Sequence, residues 1–268
     1  MITTMWTCVY GEDNYFNILR TSLESLSLYG NYKGNFCIFS DRSSEEIFKK
    51  YVPADMWLRT MVLPFPSTPN LSSRYECANY LPKHYDVYLY VDTDIIYDND
   101  INPVLLTIAN SNKICFSSEA VLYPQMQKTI GELRKEQPYN CDWFGLNIAS
   151  EDTRYDSHRL PLINSGIIGS SDIVKLIDVC NLITLKIGLT DPAYIKEFSD
   201  QSVVNYVMTS YGCDTGITRY VHFANATPPE EHIRVGLGLR GMMHFLWSGK
   251  QKLDNMVAYS AIIAKVKA

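Results

Sequence analysis

The stretch YLYVDTDIIYDND, Tyr88 to Asp100, runs an apolar and aromatic segment straight into acid, with Asp92, Asp94, Asp98 and Asp100 falling within nine positions. A continuous apolar run bounded by turn residues reads as a strand buried on both faces, as in a parallel sheet. In open α/β sheets, ligands bind in the crevice beyond the carboxyl ends of such strands. Asp92 and Asp94 stand at that end. Two residues apart on an extended backbone, their side chains point the same way. Carboxylates so placed repel one another unless a cation lies between them, and oxygen ligands suit a hard divalent ion such as Mg²⁺ or Mn²⁺. A solvated acidic turn is the competing reading of the same triplet. Asp98 and Asp100 are expected to act as cap and turn residues for a helix at Ile101.

Working outward, the first hundred residues alternate strand and helix patterns. TTMWTCVY (3–10), NFCIFS (35–40), WLRTMVL (57–63) and DVYLYVD (86–92) read as strands. Between them, NYFNILRTSLESLSLYG places Ile18, Leu19, Leu23 and Leu26 at helical spacing and stops at Gly30. SSEEIFKKYV opens with serine caps and acidic residues, and LSSRYECANYLP forms a helix ending before Pro82. This order predicts an α/β fold, a mostly parallel, doubly wound sheet flanked by helices. Beyond Asp100 the pattern loosens into an elaborated second half. NPVLLTIAN reads as a helix, KICFSS and LPLINSGIIGS as strands, and SDIVKLIDVCNLITLKIG as a helix. SDQSVVNYVMTSYG is expected to open a helix at Ser199, with strands near GITRYVHF and GMMHFLW and a last helix from about Leu253.

The chain has 268 residues and a net charge of −5 without a basic block, which argues against a nucleic-acid partner. No run approaches the roughly 18 apolar residues of a membrane span, and the N-terminus lacks the pattern of a secretory signal. Seven cysteines without CxxC pairs predict free thiols in a reducing compartment, hence a cytoplasmic protein.

Several stretches together carry a resemblance. YLYVDTDII resembles the DxD strand of GT-A-fold glycosyltransferases. LINSGIIG, FSDQSVVN and HFLWSGKQK resemble three further segments of family 8, the glycogenin and galactosyltransferase-like group, and they occur in that family's order. SSRYECANYLP resembles the helix carrying a donor-binding arginine, and VYGEDNYFNILRTSLESL the nucleotide-binding first strand and helix. The similarity spans residues 5 to about 252. It implies a single GT-A domain over residues 1–268, with 1–100 as the nucleotide-binding half and 101–268 as the donor-sugar and acceptor half. The implied activity is metal-dependent, retaining transfer of a sugar from a nucleotide-sugar, a UDP-sugar, to a glycan or glycoconjugate.

The same resemblance implies roles. Asp92, Asp94 and His244 would hold the ion, and an imidazole beside two carboxylates shifts preference from Mg²⁺ toward Mn²⁺. Arg74 and Lys250 would balance the donor diphosphate, Arg as a planar fork and Lys as a mobile point charge. Tyr10, Glu12 and Tyr15 would hold the base, and Val91 and Thr93 flank Asp92 as donor-binding positions. Asn164, Ser165 and Gly166 would face the donor sugar, with Asp200 and Gln201 as the catalytic pair beside it. Each has a plainer reading: a surface cation for either basic residue, helix packing for Tyr15, N-terminal capping for Asp200 and Gln201. Two departures stand out. The family's glycine follows its histidine by three positions, whereas Gly249 follows His244 by five, so the spacing selects Lys250 or Lys252 according to the residue it is counted from. The Pro-Trp expected after that lysine is absent.

Three other classes fit parts of the pattern. An inverting GT-A transferase shares the fold and ion but needs a carboxylate general base. A nucleotidyltransferase usually has a glycine- and basic-rich loop after its first strand, which YGEDNYF lacks. A nonenzymatic sugar-nucleotide binder would bind without turnover. For the acceptor, Tyr123, Tyr139, Trp143, Phe144 and Tyr155 read equally as an aromatic platform or as a packed flap.

Overall fold

The computed structural model describes residues 1–138, 140–150, 153–225, 239–246 and 251–268. The first half runs β1 (Thr3–Val9), α1 (Asp13–Tyr29), β2 (Asn35–Ser40), α2 (Ser44–Lys50), β3 (Thr60–Pro64), α3 (Ser73–Glu76), β4 (Val87–Val91), β5 (Ile95–Tyr97) and α4 (Asn102–Ala109). The second half adds β6 (Cys115–Ser118), α5 (Ile130–Glu136), α6 (Leu146–Ser150), β7 (Ile163–Ser170), α7 (Ile173–Leu189), α8 (Pro192–Tyr211), β8 (Val221–Asn225), β9 (Met242–Leu246) and α9 (Lys252–Lys267).

Six strands form the main sheet in the order β3-β2-β1-β4-β7-β6. The four from the first half are parallel, while β7 runs antiparallel to both β4 and β6. Strand alternation explains why helices cover both faces. Leu89 and Val91 point into a core built with Leu19, Leu23 and Leu26 of α1, Ile47 of α2 and Ile108 of α4. Tyr88 and Tyr90 point the other way, toward Tyr75 of α3, Leu176 and Val179 of α7 and Val203 and Val207 of α8. The alternating register thus puts the apolar run of β4 against two cores at once.

A second sheet, absent from the sequence reading, has the order β5-β9-β8. Helix α9 closes over it with Met256, Tyr259 and Ile263 buried against Ile96, Met243 and Phe245. Where the chain leaves β4 and enters β5, it passes from one sheet to the other, so the acidic loop lies at their junction.

Some local expectations need correcting. Trp57 to Arg59 belong to a 3-10 turn (Ala54–Arg59) before β3, and the segment from Gly216 to Tyr220 is another before β8. Helix α8 starts at Pro192, capped by Asp191, rather than at Ser199, which instead breaks it. Asp100 is the expected turn residue, accepting from Asn102 N–H at 2.8 Å. Asp98 is not a cap. It is fully buried, accepting from Tyr259 Oη at 2.8 Å and from Gly241 N–H at 2.7 Å, and so ties α9 and β9 to the acidic loop. The cap reading failed because both donors come from the far end of the chain.

Asp98→Ala leaves those two buried donors unpaired. The expected cost is about 3 kcal/mol, read as a drop in Tm of roughly 5–10 °C for a chain of this size. Burial raises the Asp98 carboxyl above its ordinary value. Its contribution is therefore fullest below about pH 4, the unfolded value, and declines as pH climbs through the folded value. The Tm gap between wild type and Asp98→Ala should narrow toward neutral pH, and a gap that widens would refute this assignment.

No described helix is long and apolar enough to cross a membrane. All seven cysteines are free thiols, five of them buried.

Candidate active site

Asp92 follows β4 in the main sheet, and its N–H donates to Gly166 O of β7 at 2.8 Å. Asp94 precedes β5 in the second sheet, where His244 on β9 pairs with Ile95. One ligand atom from each of Asp92, Asp94 and His244 lies within 4.8 Å of the others. His244 Nε2 is 3.1 Å from Asp94 Oδ1 and 3.8 Å from Asp92 Oδ2. Asp94 Oδ1 is buried, with the His244 imidazole as its polar neighbour but no aligned hydrogen bond to it. Two carboxylates, one with a buried oxygen left without an aligned hydrogen bond, and an imidazole form a donor set that fits a divalent cation.

The strand under this cluster must be glycine. A Cβ at Gly166 would lie 2.4 Å from His244 Cε1 and 2.5 Å from Asp92 Oδ2. The pairing of β6 with β7 is irregular between Phe116 and Ser117, where Phe116 faces Ile168 and Ser117 faces Asn164. This irregularity leaves residues 165–167 unpaired with β6 beside the cluster.

Cations surround the acids. Lys252 Nζ pairs with Asp94 Oδ2. Arg74 Nη1 is 2.9 Å from Asp92 Oδ1, and its Nε is 3.5 Å from Asp200 Oδ2. Tyr90 Oη also donates to Asp92 Oδ1, at 2.6 Å. Burial by itself would raise the Asp94 carboxyl, but the charges of Lys252 and His244 outweigh it and hold the group well below its ordinary range. His244 moves the opposite way, raised by the Asp94 charge against the opposing effect of burial.

A cavity of about 840 Å³ opens on this cluster. Its wall includes Tyr10, Glu12, Tyr15, Arg74, Thr93, Asp92, Asp94 and Lys252. Val91 lies beneath in the core. Tyr10 packs edge-on against Phe65 at 5.5 Å, while Tyr15 is 52 % exposed and free to meet a planar ligand.

The remaining expected residues form a buried polar group beside Gly166. Asn164 Nδ2 donates to Glu119 Oε1 at 2.7 Å and to Gln201 Oε1 at 3.2 Å, while Asn164 Oδ1 accepts from Gly166 N–H at 2.8 Å. Gln201 Nε2 donates to the same Glu119 oxygen at 3.3 Å. Ser165 is buried next to them. Asp200, 1 % exposed, accepts from Tyr75 Oη and, at 2.8 Å, from Ser199 Oγ. It does not cap its helix.

Glu119, Tyr75 and Tyr90 went unnoticed in the sequence. No motif surrounds Glu119, and burial raises its carboxyl. Asn205, inside FSDQSVVN, clamps β7 by accepting from Ile163 N–H at 2.9 Å and donating to Ile163 O at 2.8 Å. Lys250 and Tyr139 lie outside the described residues. Lys252, the lysine selected by counting from Gly249, lies on the cavity wall. Of the five aromatics read as a platform or a flap, Tyr123 packs on Phe144 at 5.1 Å, Tyr155 on Tyr206 at 5.9 Å and Trp143 on Phe198 at 6.0 Å.

Neither a protein-family model nor a curated protein matches the chain. Solved structures do. The galactosyltransferase LgtC, in complex with donor and acceptor sugar analogues, superposes with a TM-score of 0.60 at 12 % identity, over 98 % of this chain and 95 % of LgtC. Mouse xyloside xylosyltransferase 1 gives 0.53 at 14 % identity over 91 % and 97 % of the two chains. The glycosyltransferase GlyE of Streptococcus pneumoniae TIGR4 gives 0.58 at 10 % identity, over 99 % of this chain and 63 % of GlyE. At such identities the likeness speaks for architecture, and this chain has the α/β fold of the GT-A glycosyltransferases.

Proposed function

We propose that the chain is a metal-dependent, retaining glycosyltransferase moving a sugar from a UDP-sugar to a glycan or glycoconjugate acceptor, as one domain over residues 1–268. The observation that carries this reading is the Asp92, Asp94 and His244 cluster opening on a cavity that also presents Arg74 and Lys252. Two cationic side chains beside three ligands of a divalent ion match the charge of a nucleoside diphosphate. A bound Mn²⁺, or Mg²⁺, would neutralise charge developing on the departing phosphate.

The chain's own residues supply the rest. Tyr10, Glu12 and Tyr15 line the same cavity and are suited to a uracil ring and its imide proton. Arg74 orients Asp92 and Asp200 and presents its fork toward the phosphates. Gly166 lets β7 pass close to Asp92 and His244, the residues that would hold the ion, and Asn164 on the same strand, with Gln201 hydrogen-bonded to it, would face the sugar. Retention is supported by the state of the nearby carboxylates. Asp200 is occupied by Tyr75, Ser199 and Arg74, and Glu119 by two amides, so neither is placed as the open base that inversion needs. The free thiols support a reducing, cytoplasmic setting.

Thermal shift with a panel of UDP-sugars, with Mn²⁺ and with chelator, tests the binding step, because a ligand of the native state raises Tm. Stabilisation that requires Mn²⁺ is expected. Transfer should then give an α-linked product by the NMR coupling of its anomeric proton. A β-linked product would mark an inverting enzyme. Binding without turnover, to water or to any acceptor, would mark a binder.

A further inference from the structure

A second groove, of about 560 Å³, adjoins the donor cavity, and Leu71 and Ser199 lie on the walls of both. Trp143, Ile187, Pro192 and Ile195 give it an apolar and aromatic lining, with Lys196 and Glu197 also on the wall. The break in α8 lies on its wall. Ser199 has φ 61° and ψ −176°, a conformation that only glycine adopts readily. The residues before the break, Pro192 to Glu197, wall the groove, and those after it, Asp200 and Gln201, enter the polar group beside the metal cluster. Strain at Ser199, on the wall of both adjoining cavities, points to a functional boundary.

The groove's own lining is predominantly apolar, from Leu71, Trp143, Ile187, Pro192 and Ile195. A sugar ring, polar at every edge, does not match such a surface. An alkyl or aryl group does.

We infer that this groove is an acceptor subsite for an apolar aglycone, an alkyl or aromatic group carried by the acceptor sugar, whose attacking hydroxyl reaches the donor cavity past Leu71 and Ser199. The inference rests on the glycosyltransferase reading, because an acceptor must adjoin the bond being broken. The groove meets that requirement by sharing its wall with the cavity that holds Asp92 and Asp94.

The test measures UDP release from UDP-galactose, UDP-glucose and UDP-xylose with Mn²⁺, first in water alone and then with octyl or methyl β-glucoside or β-galactoside, kept below the micelle concentration. The KM of the octyl acceptor should lie at least about tenfold below that of its methyl counterpart, the effect of burying several methylenes. Ile195→Ser and Ile187→Ser, each checked for folding by its melting curve, should erase that difference while leaving hydrolysis and methyl-acceptor rates unchanged. Equal KM values with hydrolysis intact would overturn the groove and leave the transferase reading standing. An octyl advantage that persists in both variants would place the aglycone elsewhere and overturn it too. No UDP release from any donor would overturn the transferase reading, and the groove's role with it.

Discussion

Asp94→Ala should abolish metal-dependent transfer, lowering the rate on the order of 10³-fold, or about 4 kcal/mol of transition-state stabilisation. The side chain has two partners at once: one oxygen faces His244 Nε2 at 3.1 Å and the other pairs with Lys252. Its loss removes a ligand and leaves Lys252 without the carboxylate that positions it. Residual activity should no longer respond to Mn²⁺, and the Mn²⁺-dependent rise in Tm on adding a UDP-sugar should vanish. Asp94→Asn separates charge from shape, since it keeps the volume but offers a neutral oxygen, and it should restore only a small part of the activity. Full activity of Asp94→Ala in chelator would eliminate the metal-centred reading.

Arg74→Met should destabilise the fold about as much as Asp98→Ala. The guanidinium links Asp92 and Asp200, the latter almost completely buried, and Tyr75 and Ser199 already occupy the Asp200 oxygens as neutral donors. Removing the cation leaves Asp200 with neutral donors alone and Asp92 with Tyr90 and the His244 imidazole 3.8 Å away. The expected cost is about 3 kcal/mol, at the low end for breaking a buried ion pair because the guanidinium keeps contact with water. A fall in Tm of roughly 5–10 °C follows from that value. Arg74→Lys should recover part of the stability but little donor binding, because an ammonium cannot span both acids with a planar fork. A Tm for Arg74→Met within a degree or so of wild type would show that the pair contributes nothing.

These two sites differ in how visible they were before the coordinates. Asp94 announced itself through local pattern: an apolar run, then acids two apart. Arg74 was reached only through the family resemblance, and its link to Asp200, between α3 and α8, has no local trace. Lys252 shows the limit of spacing arguments, because the loop before it departs from the family's length and two lysines remained equivalent by counting. Its pairing with Asp94, 158 residues away in the chain, forms only once the chain has folded. Glu119 had no signal of its own, as an isolated acid after a short strand looks like any surface residue until Asn164 and Gln201 are folded onto it.

What the sequence by itself determined is whatever repeats over a few residues. The period-2 and period-3.6 patterns set the order of strands and helices in the first half, and the end of β4 placed two carboxylates side by side. What only the tertiary structure decided is everything formed between distant segments: the second sheet that brings His244 to those acids, the burial of Asp98 under Tyr259, the break at Ser199 and the groove beside it. Backbone periodicity is dictated by neighbours in sequence, whereas a charge or a strained residue gains its meaning from groups that meet it only after the core has closed.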